Sequence, residues 1–179
     1  NCYLTGLWST IECYLLIRLG TFPMLNNLGL FLTKRAHLSP DVEAYVESDS
    51  SYRLTYTELN DRCSQLANAF VASGIEKGER VGLLLMNSSE FMESYYALAK
   101  IGAVVVPLNW RLVADELEFI LKDSGTKRLI FDNDFVETVA DLHSRGDKTD
   151  ITQWLQVYIC LKRQILCRNS QKILWLRLN

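Results

Sequence analysis

At 179 residues with an apolar fraction of 49%, the chain has room for one domain with a real core and lacks the low hydrophobicity of a disordered protein. Its 19 basic and 21 acidic residues leave a net charge of −2, so nothing global steers it toward nucleic acid, and no such partner is expected. Near the start the longest apolar stretch, Tyr14 to Ile17 between Glu12 and Arg18, falls far short of the ~20 residues a membrane span needs.

Residues 1–25 are rich in Leu, Tyr, Trp and Cys without a clean period and are left unassigned. They lack the basic, apolar, small-residue order of a signal peptide, and Asn1 in place of Met points to a fragment or a processed product. Cys2, Cys13, Cys63, Cys160 and Cys167 form no CxxC pair. Free structural thiols in a reducing, cytoplasm-like compartment are therefore expected, and no metal site.

Residues 26–146 alternate between helical and strand patterns. Asn27 caps a short helix through Arg35, which Pro40 ends. Ala44–Val46 and Arg53–Tyr56 read as a hairpin about the turn at 48–51. Thr55 and Glu58 form a capping box, opening a helix with Leu59, Cys63, Leu66, Ala67 and Phe70 on one face and Gly74 as its stop. Arg80–Leu85 is an apolar run suited to a strand buried on both faces. Asn87 and Glu90 are expected to cap a helix to Ile101, and Ala103–Pro107 gives a second buried strand. A helix from about Asp115 turns Leu117, Ile120 and Leu121 inward and stops at Gly125, before a third strand at Arg128–Phe131. Asp134 and Glu137 cap a last helix carrying Val136, Val139 and Ala140. Strand–helix alternation of this kind makes the fold class α/β: a partial parallel sheet with covering helices, preceded by a short hairpin.

Residues 147–179 form an unassigned tail. From residue 158 onward it carries Lys162, Arg163, Arg168, Lys172 and Arg177 without an acid, and no glycine follows Gly146. This shift marks a boundary or a foreign extension. The charges are interleaved with Ile and Leu from Ile165 to Leu178, which also fits a helix lying on a membrane surface.

Ligands of open parallel sheets sit beyond the carboxyl ends of the strands. The first such loop, Met86–Glu90, has no glycine to bring backbone close to a pyrophosphate. In the second, Pro107–Leu112, Asn109 and Arg111 are the candidate ligand contacts, with backbone tethering the alternative role for Asn109. The third, Asp132–Asp134, reads as helix capping. His37 and His143 pair with no nucleophile and are expected to be solvated or partly packed. No catalytic residue and no metal ligand set is assigned.

Taken in order, Leu32–Ala36, Pro40-Asp41, Leu54–Leu59, Leu66-Ala67, Gly74–Val81, Asn87 and Glu90-Phe91 lead into Ala99–Leu112, Glu116-Leu117 and Phe119–Gly125. This series resembles the opening part of the adenylate-forming (AMP-binding) enzymes, in their fatty-acyl-CoA synthetase branch, and fades after Asp134. The resemblance implies a parent that uses ATP and Mg to join a carboxylic acid, such as a fatty acid, to AMP. The acyl group then passes to coenzyme A. Such enzymes carry a Ser/Thr/Gly-rich phosphate loop followed by Lys, an adenine motif, a ribose-binding Asp and a C-terminal Lys, none of which has a match here. The chain itself is thus expected to be inactive, or to serve as a non-catalytic binding protein derived from such an enzyme. A further expectation is an open strand edge at Leu129–Phe131, because in the parent family the sheet continues downstream.

Overall fold

The structure is a computed structural model that describes residues 27–48, 50–146, 149–160, 164–169 and 172–174. Helix α1 (Gly29–Leu38) leads into hairpin β1 (Glu43–Val46) and β2 (Arg53–Thr55). There follow α2 (Tyr56–Ala72), β3 (Arg80–Leu84), α3 (Ser89–Ile101), β4 (Val104–Pro107), α4 (Ala114–Ser124) and β5 (Arg128–Phe131). A 3-10 turn (Asn133–Phe135), α5 (Val136–Ser144), β6 (Gln153–Cys160), β7 (Gln164–Asn169) and β8 (Lys172–Leu174) complete the described elements.

The three apolar runs form parallel strands, with β3 between β4 and β5. Side chains alternate across a strand, and β3 shows the consequence. Val81, Leu83 and Leu85 join Leu66, Phe70, Ala97 and Leu98 of α2 and α3 in one core. Leu84 instead joins Leu117, Leu121, Val139 and Leu142 of α4 and α5 in a core on the other face. Helices thus cover both faces, which is why β3 reads as apolar without alternation. Gly82 leaves room for the neighbouring strand's side chains: a Cβ there would lie 2.9 Å from Leu129 Cδ1, which would have to shift.

The start of α2 carries both halves of the expected capping box: Thr55 Oγ1 accepts from Glu58 N at 3.2 Å, and Glu58 Oε2 accepts from Thr55 N at 2.8 Å. Gly74, at φ 87°, follows the helix in the left-handed region that favours glycine. The N-cap position of α1 is Leu28, not the expected Asn27, and the helix runs on to Leu38; Asn27 Oδ1 nevertheless accepts from Gly29 N at 2.8 Å just before it.

Four more expectations are corrected. The N-cap of α3 is Ser88, not Asn87, and its side chain makes no capping bond. The cap before α5 is Asp132, whose side chain accepts from Asp134 N; Asp134 is not the acceptor. Val136 and Ala140 face solvent, and Leu142 is buried beside Val139. Finally, Leu129–Phe131 is not an open edge. Strand β6 pairs with β5 in parallel, from Arg128↔Gln153 to Phe131↔Gln156, so Leu129 and Ile130 are fully buried. Beyond it, β7 and β8 extend the sheet in antiparallel pairing over residues 164–169 and 172–174 of the tail left unassigned above. The physical reason is pattern: Leu155, Val157 and Ile159 recur with period two, the spacing of a strand.

Candidate functional site

The carboxyl ends of β3, β4 and β5 meet at one rim of the sheet, and the candidate site is built there. Chain order makes this necessary, since each parallel strand delivers its following loop to the same edge. Leu108 N donates to Leu83 O at 2.9 Å, which carries the β4 ladder one residue past Pro107 and buries the Leu108 side chain. The chain then turns sharply. Asn109 Oδ1 accepts from Arg111 N at 3.1 Å, and Asn109 O accepts from Leu112 N at 3.2 Å. An Asn side chain that bonds the backbone two residues on is a turn-forming device. The tethering role considered for Asn109 is therefore present in the structure.

Arg111 lies in the same turn with its guanidinium 4.7 Å from the centre of the Trp110 ring. Such stacking uses the face of the guanidinium and leaves its edge donors available. Asn109 and Arg111 are exposed, and Trp110 is half-buried against the α4–α5 core. A cleft of about 320 Å³ opens beside the turn, lined by Leu85, Asn87 and Phe91 on one side and Pro107, Asn109 and Trp110 on the other. The lining sets two amide side chains among apolar and aromatic residues, and the cleft is open to solvent with more polar than apolar surface.

Beneath this rim, Asp132 ties two strand ends together. Its Oδ2 accepts from Met86 N at 3.3 Å, and its Oδ1 accepts from Asp134 N at 3.0 Å. Burial pushes its carboxyl above the ordinary aspartate range, against the opposing pull of those amides. The sequence pattern points to Asp134 as the cap, and the structure gives that place to Asp132 at the end of β5.

A second buried polar group joins α2 to α3. Glu93 is 1% exposed and accepts from Arg62 Nε at 2.5 Å and from Arg62 Nη2 at 3.2 Å. Burial raises the Glu93 carboxyl despite that partner. Cys63 next to them is fully buried, and burial pushes its thiol up to about 12. A thiol so rarely ionised is a packing residue, not a nucleophile. Cys2 and Cys13 lie outside the described residues, as does Trp175. His37 is exposed, and the exposed His143 stands edge-on to Trp154 at 5.5 Å. Among the described residues no three His, Cys, Asp or Glu side chains come together to hold a metal ion, and no helix is long and apolar enough to cross a membrane.

Residues 32–167 match the family model described as AMP-binding enzyme, so the likeness runs well past Asp134, where it was expected to fade. The long-chain-fatty-acid–CoA ligase FadD13 of Mycobacterium tuberculosis is 40% identical over 132 residues, which are 73% of this chain and 26% of that protein. A feruloyl-CoA synthase of an Amycolatopsis species is 41% identical over 115 residues, 64% of this chain and 23% of that one. Among solved structures, the Mycobacterium tuberculosis fatty acyl CoA synthetase superposes with a TM-score of 0.69 at 40% identity, over 73% of this chain and 26% of that one. The N-terminal domain of FACL13 from the same organism gives a TM-score of 0.70 at 40% identity, over 74% of this chain and 34% of that one. The chain spans about a quarter of the length of the curated relatives it matches.

Proposed function

The chain belongs to the AMP-binding enzyme family, as an N-terminal part of the acyl-CoA ligase type, and we propose that it is the front portion of an ATP-dependent acyl-CoA synthetase. In the proposed reaction a carboxylate attacks the α-phosphorus of ATP, forming an acyl-adenylate and releasing pyrophosphate. The thiol of coenzyme A then displaces AMP, forming the thioester. The observation that supports this reading is the alignment of residues 32–167 with the family, on a parallel sheet whose strand ends open into a cleft.

The residues present do not fit ATP with Mg. The loop after β3 is Met86-Asn87-Ser88, without a glycine or a lysine, and the described residues hold no carboxylate cluster for the metal. Phosphoryl chemistry needs positioned amides, a lysine and the metal to stabilise developing charge. We therefore assign no chemical step to these residues, and the 179-residue chain alone is proposed to be inactive. Its contribution is shape. Asn109 holds the turn and Arg111, braced on Trp110, would meet an anionic group of a ligand lying in the cleft.

Acid-dependent exchange of pyrophosphate into ATP by the purified chain is the direct test, with none expected above background. Exchange that follows the protein through purification would overturn the proposed inactivity. The parent reaction is tested by exchanging residues 27–155 into FadD13 in place of the matching segment. A chimera that forms thioester within about tenfold of the parent rate supports the reading, a loss of only ~1.4 kcal/mol at the barrier. A folded chimera that no longer activates acids would favour a non-catalytic binding protein derived from such an enzyme.

A further inference from the structure

Helix α1 is apolar on two sides. Gly29, Leu32 and Ala36 face the body and are buried. On the opposite side Leu30, Phe31 and Leu38 are 47%, 66% and 64% exposed. Their spacing puts them in one arc around Lys34, at i, i+1, i+4 and i+8. Leu28 and Val42 continue the apolar surface at either end, at 45% and 51% exposed. Residues 27–40 contain Lys34, Arg35 and His37 and no acid. Of the two acids that follow, Asp41 and Glu43, the second is taken up by Arg53 at 3.0 Å. Elsewhere a large exposed apolar side chain such as Phe119 stands among charges, between Glu118 and Lys122 on α4.

We propose that this outer face of α1 docks on an anionic lipid surface. Leu30, Phe31 and Leu38 enter the boundary between headgroups and acyl chains, and Lys34 reaches the phosphates. The charge pattern selects this occupant. A second copy packed through the same face would set Lys34 against its own counterpart inside a drying apolar patch, where like charges repel most strongly. At a bilayer the same lysine lays its stem along the acyl chains and keeps its ammonium among anionic headgroups. Arg35, stacked 5.0 Å over Tyr56, and His37 flank the stripe on its polar margins. The inner face meanwhile stays fixed to the body. Gly29 rests directly on the backbone of Lys100, and Lys100 Nζ donates to Thr33 Oγ1 at 2.8 Å and Asn60 Oδ1 at 2.7 Å. The outer face can therefore be used without unpacking the inner one. This proposal goes beyond the catalytic reading and does not depend on it.

The test is co-sedimentation of the 179-residue chain with vesicles of phosphatidylcholine alone and of phosphatidylcholine mixed with phosphatidylglycerol. Binding is expected on the anionic vesicles and should weaken as salt is raised. Phe31→Asp and Leu38→Asp should each lower the partition about tenfold, and Lys34→Glu about fivefold. Phe119→Asp on α4 should leave it unchanged. All four altered side chains are exposed, and a thermal melt checks each fold. Lys34→Glu, which disturbs no buried atom, keeps the test decisive if an apolar variant misfolds. Wild-type-like partition by the α1 variants would place binding elsewhere, for example in the basic residues of 158–179, and would overturn the proposal. So would equal binding to both vesicle types, or no binding. A dimer dissolved by Phe31→Asp without vesicle binding would assign the face to a second copy, and would overturn it too.

Discussion

The sheet with its four helices and the α1–hairpin unit are held by different physics. In the sheet, Leu83, Leu98, Leu117, Leu121, Leu129 and Ile130 are all fully excluded from water, and two apolar layers lock each other in place. Under the hairpin the apolar cluster is small: Leu32, Leu54, Leu59 and Cys63, rimmed by partly exposed tyrosines. What fixes α1 there is a set of specific contacts that converge on one residue. Asn27 Nδ2 donates to Lys100 O at 3.2 Å, Gly29 packs on the Lys100 backbone, and the Lys100 ammonium bonds Thr33 and Asn60. Burial by layers spreads stability over many residues, whereas a polar clamp concentrates it in a few. The first region should unfold as the whole, and the second should open locally.

The largest effect sharpens that contrast from the side of the sheet. Leu83→Ala removes a fully buried side chain from the middle of β3 and should cost about 2–5 kcal/mol, read as a lower urea midpoint with an unchanged slope. A loss under about 1 kcal/mol would mean the two layers collapse onto the gap, and the contrast would weaken. Next comes the clamp. A Cβ at Gly29 would stand 2.5 Å from the Cα and N of Lys100, so Gly29→Ala must push α1 away from α3. The expected result is faster amide exchange in residues 29–38, with a global cost of about 1–3 kcal/mol. Equal acceleration across β3 and β5 would break the comparison, because α1 would then belong to the same cooperative unit.

The regions also differ in how far they could be read from residues alone. Strands β3, β4 and β5 are short apolar runs, and such runs have few alternatives, although β4, expected to be buried, lies at the sheet edge with Val104 exposed. Strand β6 carries a signal in the alternation of Leu155, Val157 and Ile159, but the basic shift that follows it has the pattern of a boundary. Nothing local shows which strand Gln153–Gln156 will pair with; that is settled by the free edge of β5. The clamp was invisible for a related reason. Gly29 and Lys100 are far apart in sequence, and only the crossing of α1 over α3 makes glycine necessary. At the candidate site, the position of Asn109 and Arg111 beyond a strand end was legible. The fact that the Asn109 side chain is already engaged with Arg111 N was not.

A smaller effect tests the seam between the two regions. Thr55 ends β2 and caps α2, so it joins the hairpin to the body. Thr55→Ala leaves the Glu58 amide without its acceptor and should cost about 1 kcal/mol, whereas Thr55→Ser should cost far less. Equal losses in the two variants would assign the effect to the Thr55 methyl group and not to the cap.

The smallest expected effect lies at the rim of the sheet, where Asp132 ties Met86 N to Asp134 N. Burial raises its carboxyl above the ordinary value of 3.8, so the folded protein holds that proton more tightly than the unfolded chain does. The group's contribution is then fully present below pH 3.8 and is lost as pH rises through the higher folded value. Asp132→Asn keeps one acceptor oxygen, gives up the bond to one of the two amides at every pH, and removes the titration. The difference in melting temperature between wild type and Asp132→Asn should therefore shift in favour of the variant as pH rises from 3.8. Because the group is only partly buried, solvent screening holds the change below about 1 kcal/mol. Acid unfolding driven by other carboxylates acts on both proteins alike and cancels in the difference. A shift in favour of wild type over the same range would mean that the two amides outweigh burial. Asp132 would then be an ionised latch between β3 and β5, and the rim would draw on charge in the way that α1 draws on Lys100.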